Sequence, residues 1–345
     1  MIGDGMGLAL ITATMYHSKT PLNIERFPVV GFQKTHSYNN LITDSAAGGT
    51  AISCGIKTFN GGIGVTPDSL PCTTILEYAK ANGLSTGMVV SSTIVHATPA
   101  TFISHQVSRG FYEAIAKDIV NADIDFFVGG GKKYFEKRAM DDRNLYKELK
   151  NKGYQISDYL KKDLKKISLN FRDNFAYFTA DNDPLPYDLG RRYMPYASKL
   201  AVNFLDKHDD KGFFLMVEGS QIDWAAHANK IHWMMQEVMD FDRAVGKVLD
   251  FAIQDKGTLV IVTADHETGG LAINPGSKRR KLKTAFTGIR ARAHTAAMVP
   301  VFAYGPGAEM FSGIYENTEI FTKMIEALSL DTNISTTHEG TKSER

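Results

Sequence analysis

Two short stretches of this chain hold acidic and imidazole side chains at spacings that suit a metal ion. In Glu218-Gly219-Ser220-Gln221-Ile222-Asp223-Trp224-Ala225-Ala226-His227, Asp223 and His227 lie four residues apart. On a helix they share one face and can reach one ion. The same spacing also serves a solvated helix pair, so alone it leaves both readings open. In Ala264-Asp265-His266-Glu267-Thr268-Gly269-Gly270, a carboxylate and an imidazole follow the apolar run at residues 258 to 263. Buried and unpaired they would be costly, and a metal would satisfy both. The other reading has Asp265 capping a helix and His266 at the surface. His294 precedes the apolar run at 299 to 304, and Asp4 follows Met1-Ile2-Gly3. Acidic and imidazole groups at four strand ends point to one cluster, and carboxylate with imidazole suits zinc and magnesium.

A nucleophile is available in Leu41-Ile42-Thr43-Asp44-Ser45-Ala46-Ala47-Gly48-Gly49-Thr50-Ala51, where Ser45 opens a stretch of small residues with helical character. The N-terminus of such a helix favours an anion and would stabilise a serine alkoxide or a phosphate oxygen. Asp44 or Ser45 as a plain N-cap is the competing reading. No Ser-His-Asp spacing accompanies it, which leaves metal rather than histidine as the activator.

The elements that must position these residues alternate along the chain. Apolar runs at 87–90, 126–131, 213–217, 258–263 and 299–304 are continuous rather than alternating, as expected of strands buried on both faces. Residues 73–81, 196–204 and 232–253 carry helical periodicity. The pattern predicts an α/β fold, a three-layer α/β/α sandwich around a largely parallel sheet. In such sheets ligands lie beyond the strand C-termini, where the acidic and imidazole residues fall. Residues 1–330 are expected to form a single domain, with surface insertions at about 132–193 and 276–292. Seven of the fifteen residues 278–292 are Lys or Arg. The tail 331–345 is expected to be disordered.

Composition narrows the partners. The 345 residues carry 39 Lys plus Arg against 38 Asp plus Glu, so no global field draws the chain to nucleic acid or a membrane surface. No apolar run approaches the ~20 residues of a membrane helix. Cys54 and Cys72 are too few for a disulfide scaffold, and a bridge or two free thiols both remain open. The first residues show no export signal. Only two apolar residues precede Gly3-Asp4-Gly5, so the chain is expected to begin partway into its first strand.

Seven pieces occur in one order: Gly3-Asp4-Gly5-Met6-Gly7, Thr43-Asp44-Ser45-Ala46, His96-Ala97-Thr98-Pro99, the Arg109 of Val107-Ser108-Arg109, Glu218 to His227, Asp265 to Gly270, and His294-Thr295. Together they resemble the alkaline phosphatase family, from near the start to about Phe321. The resemblance implies hydrolysis of phosphate monoesters at alkaline pH through a phosphoserine on Ser45, with inorganic phosphate released. It implies two Zn2+ and one Mg2+. Asp223, His227 and His294 would hold the first zinc, and Asp4, Asp265 and His266 the second, completed by the Ser45 oxygen. Asp4 would bridge to magnesium with Thr98 and Glu218, and His96 would act there through water. Arg109 would clamp two phosphate oxygens, oriented by Asp44. Zinc ions about 4 Å apart can stabilise the attacking and leaving oxygens of an in-line displacement.

The family likeness also implies a periplasmic or secreted protein and leaves a homodimer open. It implies no specific nucleic acid and no membrane as partner. His96 and Trp224 depart from some relatives beside the magnesium site, and residues 270–294 are short where many relatives carry a crown domain. The alternatives are a phosphodiesterase of the same superfamily and an inactive metal- or phosphate-binding module.

Overall fold

The computed structural model describes residues 1–287 and 293–334. Residues 288–292 of the basic cluster and 335–345 of the tail lie outside the described residues. Among the described residues, fourteen strands run in chain order: β1 (Ile2–Gly3), β2 (Val29–Lys34), β3 (Ser85–Thr93), β4 (Phe126–Gly130), β5 (Gln155–Asp158), β6 (Phe175–Phe178), β7 (Phe213–Gly219), β8 (Val260–Val262), β9 (Glu267–Thr268), β10 (Leu271–Ile273), β11 (Thr284–Phe286), β12 (His294–Thr295), β13 (Val299–Tyr304) and β14 (Gly313–Glu316).

Six strands pair all-parallel in the order β1-β7-β3-β4-β6-β5, and four more in the order β14-β2-β13-β8, with β13 antiparallel to its neighbours. The two-residue β1 joins the groups. It pairs with Glu218 and Gly219 of β7, while Gly3 N–H donates to Thr263 O at 2.8 Å and Thr263 N–H to Met1 O at 3.0 Å.

The apolar runs are explained by burial on both sides. Val89, Phe126, Val128, Phe175, Tyr177 and Val217 face one core, whereas their neighbours Met88, Val90, Phe127, Ala176, Phe178 and Met216 face the other. Successive strand residues point to opposite faces, so a strand with no polar side must have helices over both. The first core is closed by the helices Leu8–His17, Met194–His208, Gln221–His227 and Ile231–Asp255, the second by Ser45–Cys54, Ile75–Ala81, Tyr112–Ala122 and Glu319–Leu328. The 25-residue helix buries Met234, Met235, Val238, Phe241, Val245, Val248, Leu249 and Ala252, a stripe at three- and four-residue steps. These layers form the anticipated α/β/α sandwich.

One expectation needs correction. Residues 132–193 are not only a surface elaboration, because they supply β5 and β6 at the edge of the parallel sheet. Phe135, Leu145, Leu149, Phe175 and Phe178 from this segment are fully buried. The run Phe175-Ala176-Tyr177-Phe178 is long enough for a strand, but it is flanked by charge, which masks it in the sequence. In the other segment, Thr284–Phe286 pairs antiparallel with β10.

Candidate metal and phosphate site

Strand ends converge as the open-sheet rule requires. Asp4 follows β1, Glu218 lies at the end of β7, Asp265 and His266 follow β8, and His96 follows β3. The helix Gln221–His227 leaves β7 at once and carries Asp223 and His227 on one face, with His227 Nε2 3.2 Å from Asp223 Oδ2. His294 comes from far along the chain. Strand β12 pairs antiparallel with β9, placing His294 opposite Thr268, and the His294 ring stacks on His266 with centroids 3.6 Å apart.

His294 Nδ1 lies 2.8 Å from the Thr43 carbonyl, which can only accept, so Nδ1 carries a proton and Nε2 turns to the cluster. That second nitrogen lies 3.1 Å from His227 Nε2 and 3.6 Å from Asp223 Oδ1. Two imidazole nitrogens and a carboxylate thus aim at one point. His266 Nε2 is 3.3 Å from Ser45 Oγ, 3.2 Å from Asp265 Oδ2 and 3.6 Å from Asp4 Oδ1.

Among the described residues, three groups have ligand atoms within 4.8 Å of one another: Asp223 with His227 and His294, Asp4 with Asp223 and His266, and Asp4 with His96 and Glu218. Asp223 therefore stands between the first two groups, and Asp4 between the second and third. Asp265 adjoins the second group through His266, and the buried Thr98 lies beside Glu218. A ring nitrogen of His96, expected to act through water, lies within 4.8 Å of carboxylate oxygens of Asp4 and Glu218.

The electrostatics call for cations. Asp4, Glu218 and Asp265 are fully buried, and both Asp4 oxygens, Glu218 Oε1, Asp265 Oδ2 and His96 Nδ1 have no hydrogen-bond partner. Burial, and then the charges of Asp265, Asp223 and Glu218, push the Asp4 carboxyl well above the usual range. Burial lifts Glu218 to about 8, and burial with the Asp223 charge lifts Asp265 to about 6. Burial works against ionisation of Asp223 too, yet the hydrogen bond from His227 holds it below the ordinary range. Burial, then Arg109, lowers His96 to about 3, and burial, then His294, takes His266 well below its usual value. Crowded carboxylates beside neutral imidazoles match the donor chemistry of zinc and magnesium ions.

The phosphate side is built by the helix Ser45–Cys54. Asp44 caps it, with Oδ1 accepting from Ala47 N–H at 3.0 Å and from Gly61 N–H at 3.1 Å. Its Oδ2 accepts from Arg109 Nη1 at 2.9 Å. The N-cap reading and the nucleophile reading are thus compatible, since Asp44 caps and Ser45 opens the helix with its hydroxyl toward His266.

Two participants carry no role in the sequence reading. Ser220 Oγ donates to Glu218 Oε2 at 2.6 Å, and Thr268 Oγ1 donates to Asp223 Oδ1 at 2.6 Å. Ser220 stands two residues from Glu218 and Thr268 two from His266, and that proximity is the only signal the sequence offers. Trp224 packs edge-on to His96 at 5.7 Å.

A sequence profile of the family described as alkaline phosphatase matches residues 1–285 and 276–330. Alkaline phosphatase 3 of Bacillus subtilis (strain 168) is 36% identical over 422 aligned residues, spanning 97% of this chain and 89% of that protein. The solved structure of alkaline phosphatase from the Antarctic bacterium TAB5 is 42% identical with a TM-score of 0.89, covering 96% of this chain and 97% of that one. A mutant of the TAB5 enzyme, equally similar, holds magnesium in its M3 site.

Proposed function

The chain belongs to the alkaline phosphatase family and hydrolyses small phosphate monoesters; from that premise we propose that it works through a phosphoserine on Ser45 at a site for two zinc ions and one magnesium. The observation that carries this reading is Ser45, 2% exposed, at a helix N-terminus with its hydroxyl oxygen 3.3 Å from His266 Nε2. Asp223, His227 and His294 would hold one zinc, and Asp4, Asp265 and His266 the other. Asp4, Glu218, Thr98 and His96 would surround the magnesium. The magnesium held by the TAB5 mutant supports that ion as one of the three. When bound, such ions lower the pKa of a hydroxyl and neutralise charge on a departing oxygen.

The chain's own groups do the rest. Ser45 Oγ attacks phosphorus, the ester P–O bond breaks and the alcohol departs. The positive end of the helix Ser45–Cys54 stabilises the nucleophile and the nearby phosphate oxygens. Arg109, held by Asp44, grips two non-bridging oxygens, a fork that suits a dianionic monoester. Water then attacks the phosphoserine, releasing inorganic phosphate and regenerating the serine. This reading places the catalytic unit in one domain over residues 1–330.

Acid quenching of a reaction with labelled monoester tests the intermediate. The native protein should retain label that is released by β-elimination, whereas Ser45→Ala should retain none, lose turnover by orders of magnitude and keep its zinc. Label remaining on the alanine variant would exclude Ser45. Faster cleavage of bis-p-nitrophenyl phosphate than of p-nitrophenyl phosphate would exclude the monoester reading.

A further inference from the structure

The Thr268 hydroxyl lies between ligands of two different ion positions. Thr268 is 1% exposed, with Oγ1 2.6 Å from Asp223 Oδ1 and 3.2 Å from His266 Nδ1. A threonine hydroxyl has one proton and a carboxylate only accepts, so that proton goes to Asp223. Thr268 Oγ1 must then accept from His266, which fixes the proton on Nδ1. The other ring nitrogen, Nε2, is left bare toward Ser45, Asp4 and Asp265. On the Asp223 side, the bond holds Oδ1 and leaves Oδ2 turned to His227, 3.2 Å away.

The backbone is arranged to keep this hydroxyl in place. Thr268 N–H donates to Gly5 O at 3.3 Å, next to Asp4, and Thr268 is the register partner of His294. Gly5 has φ of 68°, and a Cβ there would come within 2.7 Å of Thr268 Oγ1 and 3.0 Å of Asp223 Oδ1. A side chain at residue 5 would therefore collide with the hydroxyl and its acceptor, as well as strain the backbone.

We propose that Thr268 is a positioning residue that ties the two zinc sites together, setting the tautomer of His266 and the orientation of Asp223 through one hydroxyl. The proposal rests on the two-zinc reading above. Partners that orient metal ligands change affinity by roughly 10- to 100-fold when removed. Because one group here serves ligands of both sites, its loss weakens both ions together.

Thr268→Val keeps the shape and β-branch and deletes the hydroxyl; Thr268→Ser restores the hydroxyl without the methyl. Zinc titration of the metal-free proteins by calorimetry reads each site directly, without activity. The valine variant is expected to bind both ions roughly 10- to 100-fold more weakly, and the serine variant within a few-fold of native. The metal-free proteins should melt at similar temperatures, which a purely structural role would not give. Should the valine variant fail to fold, Thr268→Ala against Thr268→Ser makes the same comparison. Native affinity at both sites, weakening at one site alone, or no rescue by serine would each overturn the tie. A native protein that takes up no zinc would sink the two-zinc reading and this inference with it.

Discussion

Asp44 is asked to do two jobs with its two oxygens, and two substitutions separate them. Asp44→Asn keeps an Oδ1 that can accept from Ala47 and Gly61 N–H, but it loses the carboxylate Oδ2 bonded to Arg109. Asp44→Ala loses both. An N-cap is worth about 1 kcal/mol, with asparagine nearly as good as aspartate. The Arg109–Asp44 side chains are 31% and 20% exposed, so the ion pair itself adds roughly 0 to 1 kcal/mol. Asp44→Ala should therefore destabilise by about 1 to 2 kcal/mol in urea denaturation, and Asp44→Asn by no more than about 1.

Phosphate binding should respond differently. In both variants Arg109 loses its tether and must be ordered when phosphate arrives, at about 0.5 to 1.5 kcal/mol for such a side chain. That predicts inorganic phosphate inhibiting roughly 2- to 13-fold more weakly in both variants. Turnover at saturation need not fall, because a more weakly held product leaves sooner. Competitive inhibition by phosphate at fixed pH and zinc measures the effect. An asparagine variant with native phosphate inhibition, or an alanine variant no less stable than the asparagine one, would refute the division of labour.

Arg109→Ala should weaken phosphate inhibition by roughly 10- to 150-fold, the loss of charged hydrogen bonds worth about 1.5 to 3 kcal/mol, while leaving measurable turnover; an unchanged inhibition constant would remove Arg109 from the clamp. His105 gives a prediction on pH. Its Nδ1 lies 2.7 Å from Gly64 O and its Nε2 2.9 Å from Glu77 Oε1, so only the imidazolium satisfies both acceptors. Burial opposes the charge, but the Glu77 bond prevails and raises the pKa to about 9. A histidine raised in the fold stabilises fully below its unfolded value of about 6.5 and progressively less as pH climbs through 9. His105→Gln should thus cost at most about 3 kcal/mol near pH 6 and much less above pH 9 in urea denaturation; an equal loss at both pH values would show that the proton is irrelevant.

What the sequence discloses follows from how far a pattern must reach. β3, β4, β7, β8 and β13 are legible because strands covered on both faces leave a continuous apolar run. β2 reads Val-Val-Gly-Phe-Gln-Lys and β14 Gly-Ile-Tyr-Glu, mixed patterns that resemble loops until their pairing is known. In the site, Asp223 and His227 are legible because one helical turn joins them. The stack of His294 on His266 depends on a two-residue pairing between β9 and β12, 26 residues apart for His294 and Thr268, and no local periodicity encodes it. What Thr268 touches is hidden for the same reason: its hydroxyl donates to Asp223, 45 residues away.

The small residues after Ser45 sit between these cases. Their type predicts close approach but cannot say to what. Gly48 supplies the answer, since a Cβ there would lie 3.0 Å from the Asp265 carbonyl oxygen and 3.3 Å from the Asp265 Cβ. The helix that opens with Ser45 is therefore packed directly on the segment after β8 that carries Asp265 and His266. A methyl group at 48 must push the helix and Asp265 apart, and with them the Ser45 oxygen and the position between His266 and Asp4. Geometry of this kind is set by contact between two backbones, and that contact comes into being only when the sheet and both helical layers have assembled.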